Sequence, residues 1–351
     1  GMLTVAMVGM GWHSWLFREE MKALLGDISI LHPRIVSYDI GQEEISKLSG
    51  AALLDEVLIL GGHSIFPESP ELQNSLCRTI GEWAIQNFEE GDFAVRTRKI
   101  GELPDTISGR SFEDKVGRVV SSNGIRVNLE SPSNEIVIII AGSNDGDTHP
   151  EPFEFEETMV VWGLRVKDWS KESFSGRSPT ERPYFKPISL EPRQARLLIS
   201  LSRVPNREIK AVVDPFCGTG GIAIEAVLQD IRALASDLDS RMVEGTKENL
   251  KWLGKECVVK KWDASDLSTL WGEREGCSFV FDPPYGRSSW RSVDSLDIFL
   301  SVLKEAKKID ARGVVSTMLP AGPEALNSGN NDDIIVMGKK WSELLSIIQE
   351  I

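Results

Sequence analysis

The chain has 351 residues, 41% of them hydrophobic, which is enough for two or three domains with cores of their own. No apolar run approaches the ~18 residues that cross a bilayer. The four cysteines (Cys77, Cys217, Cys257, Cys277) include no CxxC pair, so a zinc site or disulfide framework is not suggested and a reducing cytoplasm is expected. A formal net charge of −14 at first argues against a polyanionic partner, although its distribution matters more than the sum.

Gly1 ahead of Met2 reads as a cloning remnant, and Arg18, Glu19 and Glu20 argue against a signal peptide. Residues 3–9 (LTVAMVG) predict a strand and 14–25 (SWLFREEMKALL) an amphipathic helix. Between them, Gly9-x-Gly11-x-x-Ser14 resembles half of a dinucleotide fingerprint. No acid ends a strand ~20 residues later, so a plain strand-to-helix turn is the better reading. RIVSYDI and EVLILGG give further strands with a helix between them, and a small α+β unit over 1–62 follows.

A second α+β module is expected over 65–167. It comprises a helix at 71–89, the strand DFAVRTRKI and a helix carrying Phe112, Val116 and Val119. The strands GIRVNLE, EIVIIIAG and MVVWGLRV complete it. Residues 168–192, rich in Ser, Pro, Arg and Lys, read as an ordered linker, and a helix at about 191–203 opens the next domain. From AVVDPFCGTGG onward, strand and helix alternate, which predicts a doubly wound parallel sheet over 193–351. The last ~60 residues continue it with a helix at 294–308 and the strands GVVSTML and IIVMG, while the final run LLSIIQEI is undecided between helix and strand.

Charge is unevenly spread. Residues 161–210 carry eleven Lys/Arg against five Asp/Glu, whereas residues 2–60 carry four against eight. A basic middle in an acidic chain fits either a nucleic-acid contact or a solvated linker.

Four acidic spots fall at the carboxyl ends of successive predicted strands, where open parallel sheets bind ligands. The first is DPFCGTGG, with Asp214, Phe216, Gly218, Thr219 and Gly220; it lacks the Gly-Lys-Ser/Thr of a phosphate-cradling loop. The second is Asp237, suited to accept ribose hydroxyl hydrogens, with Asp239 better read as a helix cap. Asp263-Ala264 is the third, either near an adenine edge or a cap. The fourth is Asp282-Pro283-Pro284-Tyr285, a carboxylate that must be used or satisfied where water is scarce. Cys217 is expected to be a packed small residue, since no histidine neighbours it in a motif.

RPYFKPISLEP at 182–192, DPFCGTGG and DPPYGRSS together resemble the archaeal tRNA guanine-N2 methyltransferases that act near position 10. The resemblance covers about 65–320 and is weaker outside it. It implies a Rossmann-like methyltransferase domain using S-adenosylmethionine, preceded by a THUMP-like RNA-binding module over 65–167 and a ferredoxin-like unit over 1–62. It also implies tRNA as partner, a cofactor pocket near Tyr184–Pro187 and, as in some relatives, a small zinc-binding activator subunit. DPPY alone is shared with DNA amino-methyltransferases.

The expected mechanism needs no metal. Asp282 and the Pro283 carbonyl accept the two N–H bonds of the guanine amine and aim its lone pair at the methyl, and Tyr285 stacks on the flipped base. Gly286 lets the loop pass close to the base, while Arg287 and Ser288 read equally as phosphate contacts or a cap. The glycine loop covers the methionine part, Asp237 takes the ribose and Asp263 the adenine. Arg96, Arg98 and Lys99 on one strand, with Arg165, Lys167, Arg177, Arg182 and Lys186, are expected to hold the tRNA backbone. Two other readings stay open: a DNA amino-methyltransferase, which should carry a target-recognition domain, and a non-catalytic RNA-binding subunit.

Overall fold

The structure, a computed structural model, describes residues 1–143, 156–187, 189–282, 293–317, 335–336 and 339–340. The chain divides into two compact units. The first comprises Gly1–Arg18, Asp27–Ser49 and Leu53–Lys171, and the second Glu19–Gly26, Gly50–Ala52 and Glu172–Ile351.

The first unit is built on one seven-stranded sheet. Along the chain run β1 (Met2–Gly9), α1 (Ser14–Leu25, whose residues from Glu19 on count with the second unit), β2 (Ser29–His32), β3 (Ile35–Gly41) and β4 (Leu54–Ile65). After them come α2 (Pro70–Asn87), β5 (Phe93–Ile100), α3 (Gly109–Ser121), β6 (Asn134–Ala141) and β7 (Met159–Arg165). The sheet order is β2-β3-β1-β4-β7-β6-β5, with only the β5–β6 pair parallel. The unbroken apolar run of β6 is explained by burial on both faces. Ile136, Ile138 and Ile140 meet Phe112 and Val116 of α3, while Val137 and Ile139 join Ala6, Val8 and Leu58 on the other side. Ser69 and Ser108 cap α2 and α3 by accepting from the Leu72 and Ser111 amides.

The boundary expected between 62 and 65 falls at the end of β4. That strand is twelve residues long: Leu54–Ile59 pairs with β1 and Leu58–Ile65 with β7. No sheet edge therefore separates the two expected N-terminal units. Two local expectations are corrected. The helix expected between β3 and β4 is a 3-10 segment, Gln42–Leu48. GIRVNLE is no strand but a single bridge from Val127 to Phe93. Val127 and Leu129 are exposed, so the run has no face to bury, and Asn128 turns the chain by accepting from the Glu130 and Ser131 amides.

In the second unit, α4 (Pro192–Leu201) leads into β8 (Ala211–Asp214), α5 (Gly221–Val227), β9 (Arg232–Asp237), α6 (Ser240–Trp252) and β10 (Val258–Lys261). Then follow α7 (Leu267–Trp271), β11 (Cys277–Phe281), α8 (Val293–Ile309) and β12 (Val314–Ser316). The sheet is wholly parallel, in the order β10-β9-β8-β11-β12. Its core joins Val213, Leu234, Phe279 and Phe281 of the strands to Phe299, Val302 and Ile309 of α8. The doubly wound sheet is thus present from β8 to β12. The one-turn α7 was not expected; Leu267 and Trp271, four apart, are its buried residues. IIVMG does not continue the sheet among the described residues: β13 (Ile335–Val336) pairs antiparallel with β14 (Lys339–Lys340). LLSIIQEI lies outside the described residues.

Candidate active site

The strand order places the crevice. β8 and β11 are neighbours, and the order reverses between them, so their carboxyl ends flank the switch point at which ligands of such sheets bind. Asp214 ends β8, Asp237 ends β9, Asp282 directly follows β11, and Asp263 lies just beyond β10.

The loop from Asp214 to Gly221 is held by local bonds. Asp214 Oδ1 accepts from the Phe216 amide at 3.0 Å, and Asp237 accepts from the Gly218 amide at 3.0 Å and the Asp239 amide at 2.9 Å. Asp237 thereby ties the loop to the end of β9 while keeping further lone pairs on both oxygens. Gly220 stands at φ +91°, and a Cβ there would come within 2.8 Å of Thr246 Cγ2, so both backbone and space require glycine.

One face of α6 clamps this loop, and the sequence reading missed it. Thr246 donates to the Gly218 carbonyl at 2.7 Å. Asn249 donates to the carbonyls of Thr219 (2.8 Å) and Tyr184 (2.9 Å) and accepts from the Tyr184 amide (2.9 Å). Gly245 leaves the space that the Tyr184 ring fills; a Cβ there would overlap the ring. The segment at Tyr184 thus lies beside the glycine loop, which the Ser189–Thr219 hydroxyl contact at 3.0 Å also joins to it. A signal existed: Asn is a poor residue for a helix interior, and Gly245, Thr246 and Asn249 share one face.

Burial pushes the Asp214 carboxyl well above its ordinary range, and the neighbouring Asp237 and Asp282 carboxylates push it further. Burial also raises Asp237, against the opposing pull of the Asp239 and Gly218 amides, and raises Asp282, against the Thr317 hydroxyl. Three desolvated acids at adjacent strand ends favour a ligand that brings positive charge and hydrogen-bond donors. Asp263 differs. It is exposed, accepts from the Ser265 amide and hydroxyl, and is held low by those bonds. It caps a 3-10 turn, with Ala264 buried behind it. Asp239 is the N-cap of α6, as expected. Cys217 is 5% exposed and its thiol is raised well up by burial, so it is a packed residue.

Asp282 is half-buried and accepts a hydrogen bond from Thr317. Phe281 before it packs edge-on against Phe216 of the glycine loop, with ring centroids 5.5 Å apart. Pro283, Pro284 and Tyr285, together with Gly286, Arg287 and Ser288, lie outside the described residues.

The cations expected on RNA divide into two sets, and two of them are corrected. Arg177 and Arg182 are buried, at 9% and 4% exposure. Arg177 forms a two-pronged pair with Glu225 (2.8 and 2.9 Å), which Arg196 joins at 3.0 Å. Arg182 donates to the Arg177 carbonyl. Both guanidinium groups sit inside the second unit and are out of reach of a phosphate. In the first unit, acids neutralise the basic strand. Arg98 pairs with Asp55 and Glu56, Arg165 with Glu56 and Glu135, Arg96 with Glu135, and Lys167 with Glu89. Lys99 is exposed, its amine bonded to the Ile107 carbonyl, and Lys186 is half-buried.

Comparison with known proteins now decides the family. Residues 179–329 match the family model described as the RMKL-like methyltransferase domain. A tRNA (guanine(10)-N2)-dimethyltransferase of Pyrococcus abyssi is 29% identical over 76% of this chain and 73% of its own length. One from Methanothermobacter thermautotrophicus is 36% identical over 59% and 55%. A probable enzyme of the same name from Methanothermococcus thermolithotrophicus is 35% identical over 32% of this chain and 73% of its own. The chain belongs to the tRNA guanine-N2 methyltransferase family. The match spans little more than half of the Methanothermobacter protein. Methyltransferase domains of this kind use S-adenosylmethionine as methyl donor, and the acids and glycine loop at β8 and β9 fit it. The sulfonium and amino group bring the positive charge that the three carboxyls lack, and the ribose brings hydroxyl donors.

Proposed function

We propose that this chain transfers methyl groups from S-adenosylmethionine to the exocyclic N2 amine of the guanosine at position 10 of tRNA, adding one methyl or two. The observation that carries the reading is the Asp282 carboxylate at the β8–β11 switch point, in a chain of this family. S-adenosylmethionine supplies a methyl already activated on sulfur. The glycine loop holds the methionine part, Asp237 accepts from the ribose hydroxyls, and Asp263 with Ala264 borders the adenine. Asp214 holds the loop through the Phe216 amide. Asp282 accepts an N–H of the guanine amine, whose lone pair is otherwise delocalised into the ring, and stabilises the charge that develops on nitrogen. Pro283, Pro284 and Tyr285 complete the base site, with the Pro283 carbonyl as second acceptor and the tyrosine ring as stacking surface.

The first unit takes the role of a THUMP-like RNA-binding module with a ferredoxin-like unit, the division between them falling near 62–65. Lys99, Lys167 and Lys186, with the exposed flank of Arg96 and Arg165, meet the tRNA backbone. The site of action is the cytoplasm. Among the described residues no helix is long and apolar enough to cross a membrane. The reading is tested by offering unmodified tRNA transcript and duplex DNA, separately, with methyl-labelled cofactor. Label in tRNA guanosine is expected; label in DNA adenine or cytosine overturns it. A parallel arm with a small zinc-binding activator subunit from a relative determines whether one is needed.

A further inference from the structure

The sequence singled out Asp282 and its turn but no residue that fixes where the carboxylate points. A carboxylate that must accept one N–H of an amine and so aim a lone pair cannot rotate freely about its own bond; misplacement by an ångström costs about 100-fold in rate. The neighbouring strand supplies a restraint. Thr317 directly follows β12, which lies beside β11 in parallel register, Phe281 opposite Ser316. Its hydroxyl donates to Asp282 Oδ1 at 2.5 Å, and its amide donates to the Phe281 carbonyl at 3.3 Å. Thr317 is 7% exposed, so water competes little for this bond.

We infer that Thr317 is the positioning residue of the reaction: its hydroxyl occupies one oxygen of Asp282, fixes the rotation of the carboxylate, and leaves Oδ2 for the substrate amine. The inference deepens the proposed function and rests on it. Two hydrogen bonds from one residue, one to the backbone before Asp282 and one to its side chain, tie Phe281 and Asp282 to the end of β12. A donor on Oδ1 also favours the ionised acid. Without it, burial acts on Asp282 unopposed and its protonation moves to higher pH. Among the described residues, the titratable group coupled to Asp282 is Asp214 on β8, which the Asp282 carboxylate pushes upward; β12 contributes Ser316 and Thr317, which carry hydroxyls.

The test compares Thr317→Val, which keeps the shape and loses the hydroxyl, with Thr317→Ser, which keeps the hydroxyl. Single-turnover methyl transfer is measured against pH on whichever acceptor the wild-type chain methylates. Thr317→Val should slow transfer about 10- to 100-fold with cofactor affinity within about twofold, and shift the acid limb of the pH profile upward. Thr317→Ser should restore both within about threefold. A valine variant with wild-type rate and acid limb, or a serine variant as slow as the valine one, overturns the inference. A second readout needs no acceptor. Carbon-13 NMR titration of labelled aspartate carboxyls, with the Asp282 signal assigned through Asp282→Asn, should show the Asp282 midpoint higher in Thr317→Val than in the wild type. Equal midpoints overturn the inference even where the choice of tRNA as acceptor has failed.

Discussion

Replacing Asp282 with alanine removes the proposed acceptor for the substrate amine and leaves the bonds of Asp237 to the loop in place. Turnover should fall by about 100- to 1,000-fold, the scale for losing one preorganised transition-state partner, with calorimetric affinity for the cofactor nearly unchanged. Asp237→Ala should do the reverse and weaken cofactor binding about tenfold or more, since two backbone amides lose a charged acceptor and, in the proposed role, so does the ribose. Asp214 makes a stability prediction. Its folded-state pKa lies above the ordinary 3.8, so folding is favoured while it is protonated and loses that contribution as pH rises through the raised value. Asp214→Asn keeps an oxygen for the Phe216 amide and carries no charge. Ligand-free Asp214→Asn should therefore melt higher than the wild type at pH 8, with the difference shrinking toward pH 4 in thermal scans. An equal melting temperature at pH 8 would show that the buried charge costs nothing.

At the scale of elements, α6 holds the glycine loop, and the Glu225 cluster ties α5, the helix that follows the loop, to Arg177 and to Arg196 of α4. Glu225 on α5 is fully buried between Arg177 and Arg196, so Glu225→Ala leaves these two buried cations with only the longer contacts to the part-exposed Glu172 as carboxylate partner. It should cost about 3–5 kcal/mol in denaturant unfolding, the scale for breaking a buried pair. Gly245→Ala should displace the Tyr184 ring and weaken cofactor binding with little change in the far-ultraviolet helix signal. The acids that end β8 and β9 and follow β11 were legible in the sequence because a doubly wound sheet reports each βα turn locally, as a buried apolar run that stops at an Asp. Thr317, Asn249 and Glu225 were not. Their partners lie 35, 30 and 48 residues away, and such pairings exist only once strands and helices are stacked. The continuity of the seven-stranded sheet was not legible for a related reason: β4 serves two partners along one continuous strand, and periodicity reports burial but not which neighbour does the burying. Arg177 and Arg182 entered the RNA list because the local charge count cannot tell a buried guanidinium from an exposed one.

Over the whole molecule, a net charge of −14 would restrict the proposed tRNA contact to local patches, and screening should act on those alone. Filter-binding affinity for tRNA should fall steeply between 50 and 200 mM salt, and Lys167→Ala or Lys186→Ala should each reduce the log–log slope by about one. The central claim is guanine N2 methylation, and nucleoside mass spectrometry of a tRNA transcript after incubation with the chain and S-adenosylmethionine tests it most directly. The account predicts N2-methylguanosine or its dimethyl form from the wild type, loss of both when position 10 is changed from guanosine, and neither from Asp282→Ala. Methylated adenosine or cytidine with guanosine untouched, or full methylguanosine from Asp282→Ala, would contradict it.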